Sequence, residues 1–432
     1  MAGGREVGGP SRTALPVLPG VAVVPEQRAR RRRRGRGEGV TTTGTKDART
    51  RSESTSGTDE ALLRQIATAL ACLSRLRTVP NPVYPAKVQN AYNRLVLHCL
   101  RRGEEPPGSV PEMVRWAGER PLTEWPLKLP AEEFPGASPL VDPETRLPHQ
   151  LCLEWEVSAA DPAAELFENE LIREAVARCR AAKSPQAYTA FRALLTSRPV
   201  LTGAELALLG GDPDCGMLLH DVIKRCYEPV PASYQRHGTY RQCARCRCLM
   251  VPLLHGGHRC ELDRCRRDGT SDEGPRLRAG KGGLLQLSRP LRMFITSPGL
   301  AETDLQAALL KKFGITAEMW PHYDVYDLRI PLPGGRHWAV DVKDRVNPVL
   351  LARSLTPFRN EPPYDRAFLV VPRYRFRDNE AYGRQFRRNL PEDLADRITL
   401  LDDRAFLRLV ADEIPSPRDK AGDPRTEGDP RA

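Results

Sequence analysis

The stretch that most constrains this chain runs from Trp320 to Lys343, where two runs of alternating side chains meet at Pro333-Gly334-Gly335. A Pro-Gly-Gly turn between two strand-like runs predicts a hairpin. Side chains on a strand alternate faces. Tyr326, Leu328 and Ile330 therefore share one face of the first run, and Val325, Asp327 and Arg329 the other. In the second run Ala339, Asp341 and Lys343 point one way, Val340 and Val342 the other. The hairpin thus has an apolar face and a face with two carboxylates and an ammonium. Magnesium takes oxygen ligands, commonly one or two carboxylates plus substrate phosphates. A lysine beside it can orient an attacking water or neutralise charge building on a phosphate. Alternating charge on a strand is also what an ordinary solvated face looks like, so the surroundings decide.

Those surroundings are informative. Pro298-Gly299-Leu300-Ala301-Glu302 opens a predicted helix whose apolar positions Leu305, Ala308, Leu309 and Phe313 recur at helical spacing. Asn347–Phe358 then reads as a helix and Ala367–Val371 as a buried strand. This order, with Asp-x-Lys at 341–343, resembles the PD-(D/E)xK, restriction-endonuclease-like family over about the last third of the chain. By motif position the resemblance implies that Glu302 is the helix acid, Asp327 the first-strand aspartate, Asp341 the (D/E) and Lys343 the lysine. It implies an α/β nuclease domain using Mg2+ or Mn2+ at Asp327 and Asp341. Asp324 is the alternative first aspartate; Asp327 is preferred because it leads the Asp-x-Arg-Ile run.

A second array is equally specific. Cys243 and Cys246 form a Cys-x-x-Cys pair, and Cys260 and Cys265 follow within the same 23-residue window. Zinc wants four N or S ligands in a tetrahedron, and such pairs supply two each. Cys248, His255 and His258 lie inside the window, so His258 competes with Cys260 as third ligand. A closed site of this kind stabilises a fold and performs no chemistry. The surrounding Arg241, Arg245, Arg247, Arg259, Arg264, Arg266 and Arg267 are candidates for phosphate contact, or a solvated ribbon surface. Tyr240-Arg-x-Cys-x-x-Cys, followed by Trp320-Pro-x-x-Asp-x-x-Asp-Leu and Ala339-Val-Asp-Val-Lys-Asp, resembles the nuclease of the prokaryotic PIWI-linked three-gene defence island. That resemblance implies a PIWI protein and a helicase as partners.

The chain has 432 residues, room for two or three domains. Its formal charge of +11 is misleading, because residues 1–58 hold twelve Lys/Arg against five Asp/Glu and so account for +7 of it. Basicity alone is therefore a weak argument for nucleic acid. No apolar run approaches the roughly 20 residues of a membrane helix, and the 11 cysteines, several isolated on helices, suit a reducing cytoplasm. The reading in order is a disordered basic tail over 1–57, containing the Arg28–Arg36 run, then an all-α domain over 58–235. A zinc-ribbon-like module over 236–268, a linker over 269–281, the nuclease domain over 282–415 and a tail over 416–432 follow. In the all-α part Thr58 is the expected first N-cap, Trp116, Trp125 and Trp155 the core anchors, and Tyr188, Phe191, Leu194 and Leu195 an inward stripe. Arg375, Arg377, Arg384 and Arg387, interleaved with aromatics, are the expected nucleic-acid contacts. The function expected is metal-dependent DNA cleavage. The alternative is a zinc-ribbon nucleic-acid-binding or adaptor protein with an inactive nuclease fold, and RNA stays open as substrate.

Overall fold

The structure is a computed structural model describing residues 46–76, 80–129, 139–157, 162–266, 272–280 and 282–414, with side chains absent from the description at 46–57, 157 and 162–169. The Arg28–Arg36 run, the C-terminal tail, Arg267 and part of the expected linker lie outside these residues.

Helix α1 (Lys46–Arg75) begins upstream of Thr58, so the expected cap is an interior position. Its stripe of Leu63, Ile66 and Leu70 packs against α2 (Ala86–Arg102), α3 (Val110–Glu119) and α4 (Gln150–Val157). Trp116, Trp125 and Trp155 are buried in this first core, the first two edge to face at 5.9 Å. Gly103, at φ 71°, ends α2 in the left-handed conformation that glycine adopts without steric cost. A second core forms between α5 (Pro162–Ala181), α6 (Pro185–Ser197) and α8 (Gly216–Cys226), with α7 (Gly203–Leu208) in between. Ser184 caps α6, and Thr202 and Glu205 make a capping box on α7.

This block is not all-α. β1 (Val200–Thr202) and β2 (Tyr227–Pro229) belong to it. The cysteine-rich module follows, with β3 (Tyr240–Cys243), β4 (Val251–Pro252) paired to β5 (His258–Arg259), and a single-turn helix α9 (Asp263–Arg266). Its last strand, β6 (Glu273–Leu277), pairs antiparallel with β3 and lies inside what reads as linker. β7 (Leu284–Leu287), expected in the nuclease domain, instead lies between β1 and β2. Both departures have one cause: β1, β2 and one edge of β3 expose backbone groups that need a partner, and β7 and β6 supply it.

The C-terminal part is a five-stranded sheet. In spatial order it runs β8 (Glu318–Met319), β9 (Leu328–Pro331), β10 (His337–Val342), β11 (Arg366–Val371) and β12 (Thr399–Asp402). β8, β9 and β10 are antiparallel; β11 and β12 join in parallel. Helices α10 (Ser297–Phe313), α11 (Pro348–Ser354), α12 (Arg373–Asp378), α13 (Tyr382–Asn389) and α14 (Asp403–Glu413) pack around it. Trp338, Phe368 and Phe406 stack at its centre.

The described residues from Thr50 onward cluster into one compact unit. A buried ionic hub ties its parts together. The Arg375 guanidinium donates to Asp344 Oδ1 at 2.7 Å, Asp263 Oδ2 at 3.0 Å and Gln150 Oε1 at 2.8 Å. These acceptors belong to the segment after β10, to α9 of the cysteine module and to α4. Expected to contact nucleic acid, Arg375 is 2% exposed and its donors are spent inside the fold. Removing one partner of a buried ion pair costs about 3–5 kcal/mol. Arg375→Ala should therefore lower stability by about that amount in urea unfolding; a change within about 0.5 kcal/mol, the scale of surface substitutions, would contradict the hub.

Candidate active site and metal centre

The hairpin register sets the acids. Ala339 pairs with Arg329 and Val340 with Leu328, so one step further Asp341 lies opposite Asp327. Asp327 precedes β9, and its Oδ2 accepts the Val342 N–H at 2.6 Å, closing the end of the ladder. Lys343 Nζ donates to Asp341 Oδ1 at 2.5 Å and lies 3.9 Å from Asp327 Oδ2. Glu302, from the first turns of α10, is buried beside them and accepts from Trp320 Nε1 at 2.5 Å.

The rest of the site comes from the helical block. Arg192 on α6 is 3.0 Å from Asp324 Oδ2 through Nε and 3.5 Å from Glu302 Oε2 through Nη2. Tyr188, one turn earlier, donates to Asp324 Oδ2 at 3.0 Å. The reach depends on a glycine. A Cβ on Gly299 would lie 2.4 Å from Thr196 Oγ1, so α10 and α6 can close only with glycine there. Sequence reasoning missed Arg192, although a signal existed: a charged residue four positions after Tyr188, on the face assigned to the core.

Trp320–Asp324 does not form the expected strand. Trp320, His322, Tyr323 and Asp324 all have φ between 48° and 66°, a conformation costing roughly 1–2 kcal/mol per residue. Tertiary contacts hold it: Arg192 stacks over Trp320 at 5.4 Å, Arg180 over Tyr323 at 5.4 Å, and Trp320 N–H donates to Asp327 O at 2.7 Å. The turn carries Asp324 to Arg192 and Tyr188, and leaves Asp327 with Asp341 and Lys343.

Four carboxylates and two cations thus meet in one cavity of about 910 Å3. Burial pushes Glu302 up to about 7, against the pull of Arg192. Burial, then the charge of Glu302, also raises Asp327. Asp341 resists burial because the Lys343 ammonium and a hydrogen bond from Asp327 hold it below the ordinary carboxylate value. Lys343 is raised despite burial, by Asp341 and Asp327. Among the described residues only Arg192 and Lys343 pair directly with these four carboxylates, and hard oxygens in excess of their paired cations suit a divalent ion of the magnesium class. Arg64, Arg180, Arg345, Arg353 and Arg359 line the same cavity. They come from α1, α5, α11 and loops, without any local pattern that would announce them. Of the arginines expected to bind nucleic acid, Arg384 and Arg387 are exposed on α13 and do not line this cavity, and Arg377 lies in a separate cleft.

In the cysteine module, Cys243, Cys246, Cys260 and Cys265 are buried with their sulfurs within 4.8 Å of one another. Hydrogen bonds from Cys246, Cys260 and Cys265 hold the Cys243 thiol well below the usual range. A zinc tetrahedron with Zn–S of about 2.3 Å needs sulfurs roughly 3.8 Å apart, so the four fit it. Cys248 is buried outside the cluster, His255 is exposed, and His258 pairs with Glu273 at 3.2 Å. The module's arginines are largely ties: Arg241 pairs with Glu273, Arg259 with Glu144, Arg264 with Asp304, and Arg266 with Asp142 and Asp263.

Two family models match the chain. The pPIWI_RE three-gene island domain Y matches residues 62–202, and the REase associating with pPIWI_RE matches residues 299–417. The second match defines a restriction-endonuclease-like domain over the acids just described. With the first, it makes the chain a pPIWI-RE island protein. No curated protein and no solved structure matches it. Tyr188 and Arg192 fall in the domain Y match and Glu302, Asp324, Asp327, Asp341 and Lys343 in the REase match, so the site joins both.

Two outcomes follow from this chemistry. The purified chain should carry about one zinc, lost together with thermal stability in Cys246→Ser; metal analysis showing no zinc in the intact chain would contradict the cluster's fit. Divalent-ion binding requires charged carboxylates, and Glu302 and Asp327 are raised. Mn2+ affinity should therefore fall as pH drops through about 7, with protons released on binding. Calorimetry in buffers of differing ionisation enthalpy reads this, and an affinity flat from pH 6 to 8 would count against it.

Proposed function

We propose that the protein is a metal-dependent DNA endonuclease of a prokaryotic defence island, working beside a PIWI protein and a helicase. The observation that carries this is the convergence of Glu302, Asp327, Asp341 and Lys343 on one cavity rimmed by arginines. Asp327 and Asp341 would hold Mg2+ or Mn2+, with Glu302 contributing directly or through a water. The metal, when bound, supplies charge stabilisation and a nucleophilic water. Lys343, which donates to Asp341 Oδ1 at 2.5 Å, would position the water and face the negative charge that builds on the scissile phosphate. Arg192 and Trp320 hold Glu302 through its Oε2. Arg180, Arg345, Arg353 and Arg359 are placed to meet flanking phosphates, a sequence-independent source of affinity. The zinc module has a structural part, supporting the contact between α9, α12 and the segment after Lys343.

One observation favours a second reading. Lys343 and Arg192 already neutralise half the acidic cluster by direct ion pairs, as in a nucleic-acid-binding adaptor whose nuclease site does not cut. Supercoiled plasmid separates the two readings. The nuclease reading expects nicking or linearisation that needs Mg2+ or Mn2+, stops with EDTA, and falls at least about 100-fold in Asp341→Ala and Lys343→Ala, the lower bound of typical acid–base contributions. A wild-type protein that shifts plasmid on a gel but leaves it intact, with the island partners present, would favour the adaptor.

A further inference from the structure

The cavity with the acids has a counterpart on the other side of β10. Val342 points away from Asp341 and Lys343 and lies buried beneath a second cleft of about 580 Å3, whose half-buried apolar lining is Leu300, Ala308 and Leu407. The same helix serves both cavities: Glu302 faces the acids, whereas Ala301, Asp304 and Leu305 face this cleft. Arg245 and Arg264 of the cysteine module form one wall; Arg373, Arg377 and Arg404 form the other.

The charges here are unbalanced. Arg264 is paired with Asp304. Asp403, the other carboxylate of the cleft, directs Oδ1 at the backbone N–H groups of Arg373 and Arg404, each at 3.1 Å. The guanidiniums of Arg373, Arg377 and Arg404 are exposed and have no carboxylate partner among the described residues. Three mutually repelling cations above an apolar floor, in a volume within the roughly 300–1,000 Å3 of ligand sites, suit a ligand with both anionic and flat apolar parts. A single strand of nucleic acid is such a ligand, since splayed bases pack on apolar or aromatic groups while phosphates meet arginine. Duplex DNA fits less well, because its bases are stacked inward and cannot reach the floor.

We propose that this second cleft binds a single-stranded segment of nucleic acid, separately from the acid-lined cavity. Arg373, Arg377 and Arg404 take phosphates, and the half-buried apolar lining of Leu300, Ala308 and Leu407 takes bases. The inference deepens the nuclease reading by giving the protein a hold on an unpaired strand. It does not depend on cleavage.

The test is fluorescence anisotropy with the full-length protein in EDTA, using a labelled 12-nucleotide oligo(dT), a duplex of equal length, and a mononucleotide as competitor. The wild type is compared with Arg373→Ala/Arg377→Ala/Arg404→Ala and with Arg353→Ala/Arg359→Ala at the acid-lined cavity, all checked for an unchanged thermal midpoint. If the triple variant unfolds, Arg377→Glu alone replaces it. The proposal expects oligo(dT) affinity to fall at least about ten-fold in the triple variant, with the salt slope lower by roughly 2, about 0.7 per lost phosphate contact on single strands. Equal affinity in wild type and variant, a loss confined to duplex, or displacement of oligo(dT) by mononucleotide at its own dissociation constant for the cleft would each overturn it. Plasmid cleavage is read in parallel. Cleavage with an unaffected triple variant removes this inference and leaves the nuclease reading; lost single-strand binding without any cleavage does the reverse.

Discussion

A guanidinium buried between two carboxylates is stable only when every partner is in place, because the desolvation of three charges is offset by their mutual contacts alone. Arg375 makes this demand of Asp344 and Asp263, with Gln150 completing its donors. Asp344 directly follows Lys343, Asp263 lies two residues before the zinc-fit Cys265, and Gln150 opens α4. The position of the hairpin's end is therefore conditional on the cysteine module and the helical block being folded. Hydrogen bonds from Val346 and Asn347 to Glu154 reinforce the same junction. The restriction-endonuclease-like domain and domain Y are matched as separate stretches, yet in this chain neither completes the site alone.

The acid-lined cavity depends on that junction in a second way. Arg192 offsets part of the burial cost of Glu302 and Asp324, and Lys343 does so for Asp327 and Asp341. Glu302 and Asp327 are raised all the same, first by burial and then by the neighbouring carboxylates. The left-handed turn at Trp320–Asp324 is the strain accepted to bring these groups together, and strain of this kind gathers at functional sites. What the turn gains is an indole aimed at Glu302 and a carboxylate aimed at Arg192.

Much of this was legible where the signal is local. The β9–β10 hairpin follows from alternation and Pro333-Gly334-Gly335, with the turn glycines at φ 79° and 77°. Helix α10 follows from apolar spacing, and the four-cysteine cluster from its spacing. What was hidden depended on contacts distant in sequence. β6 and β7 are short, and only the unpaired edges of β3, β1 and β2 make them strands. In Trp320–Asp324 the aromatics suggest a strand, whereas Pro321 and Asp324 disfavour one, and tertiary contacts set the left-handed turn instead. Arg375 sits in an arginine-aromatic run that resembles a nucleic-acid surface, and its burial follows from Asp263 and Asp344 alone. Arg180, Arg345, Arg353 and Arg359 share a cavity through topology, not through pattern.

On the proposed reading Asp327 and Asp341, with Glu302 beside them, would hold a divalent ion. The most direct test is a crystal of the full chain soaked in Mn2+ and measured at the manganese absorption edge. The expected result is one anomalous peak within coordination distance of the carboxylates of Asp327 and Asp341. No peak there at millimolar Mn2+ near pH 8 would contradict that reading.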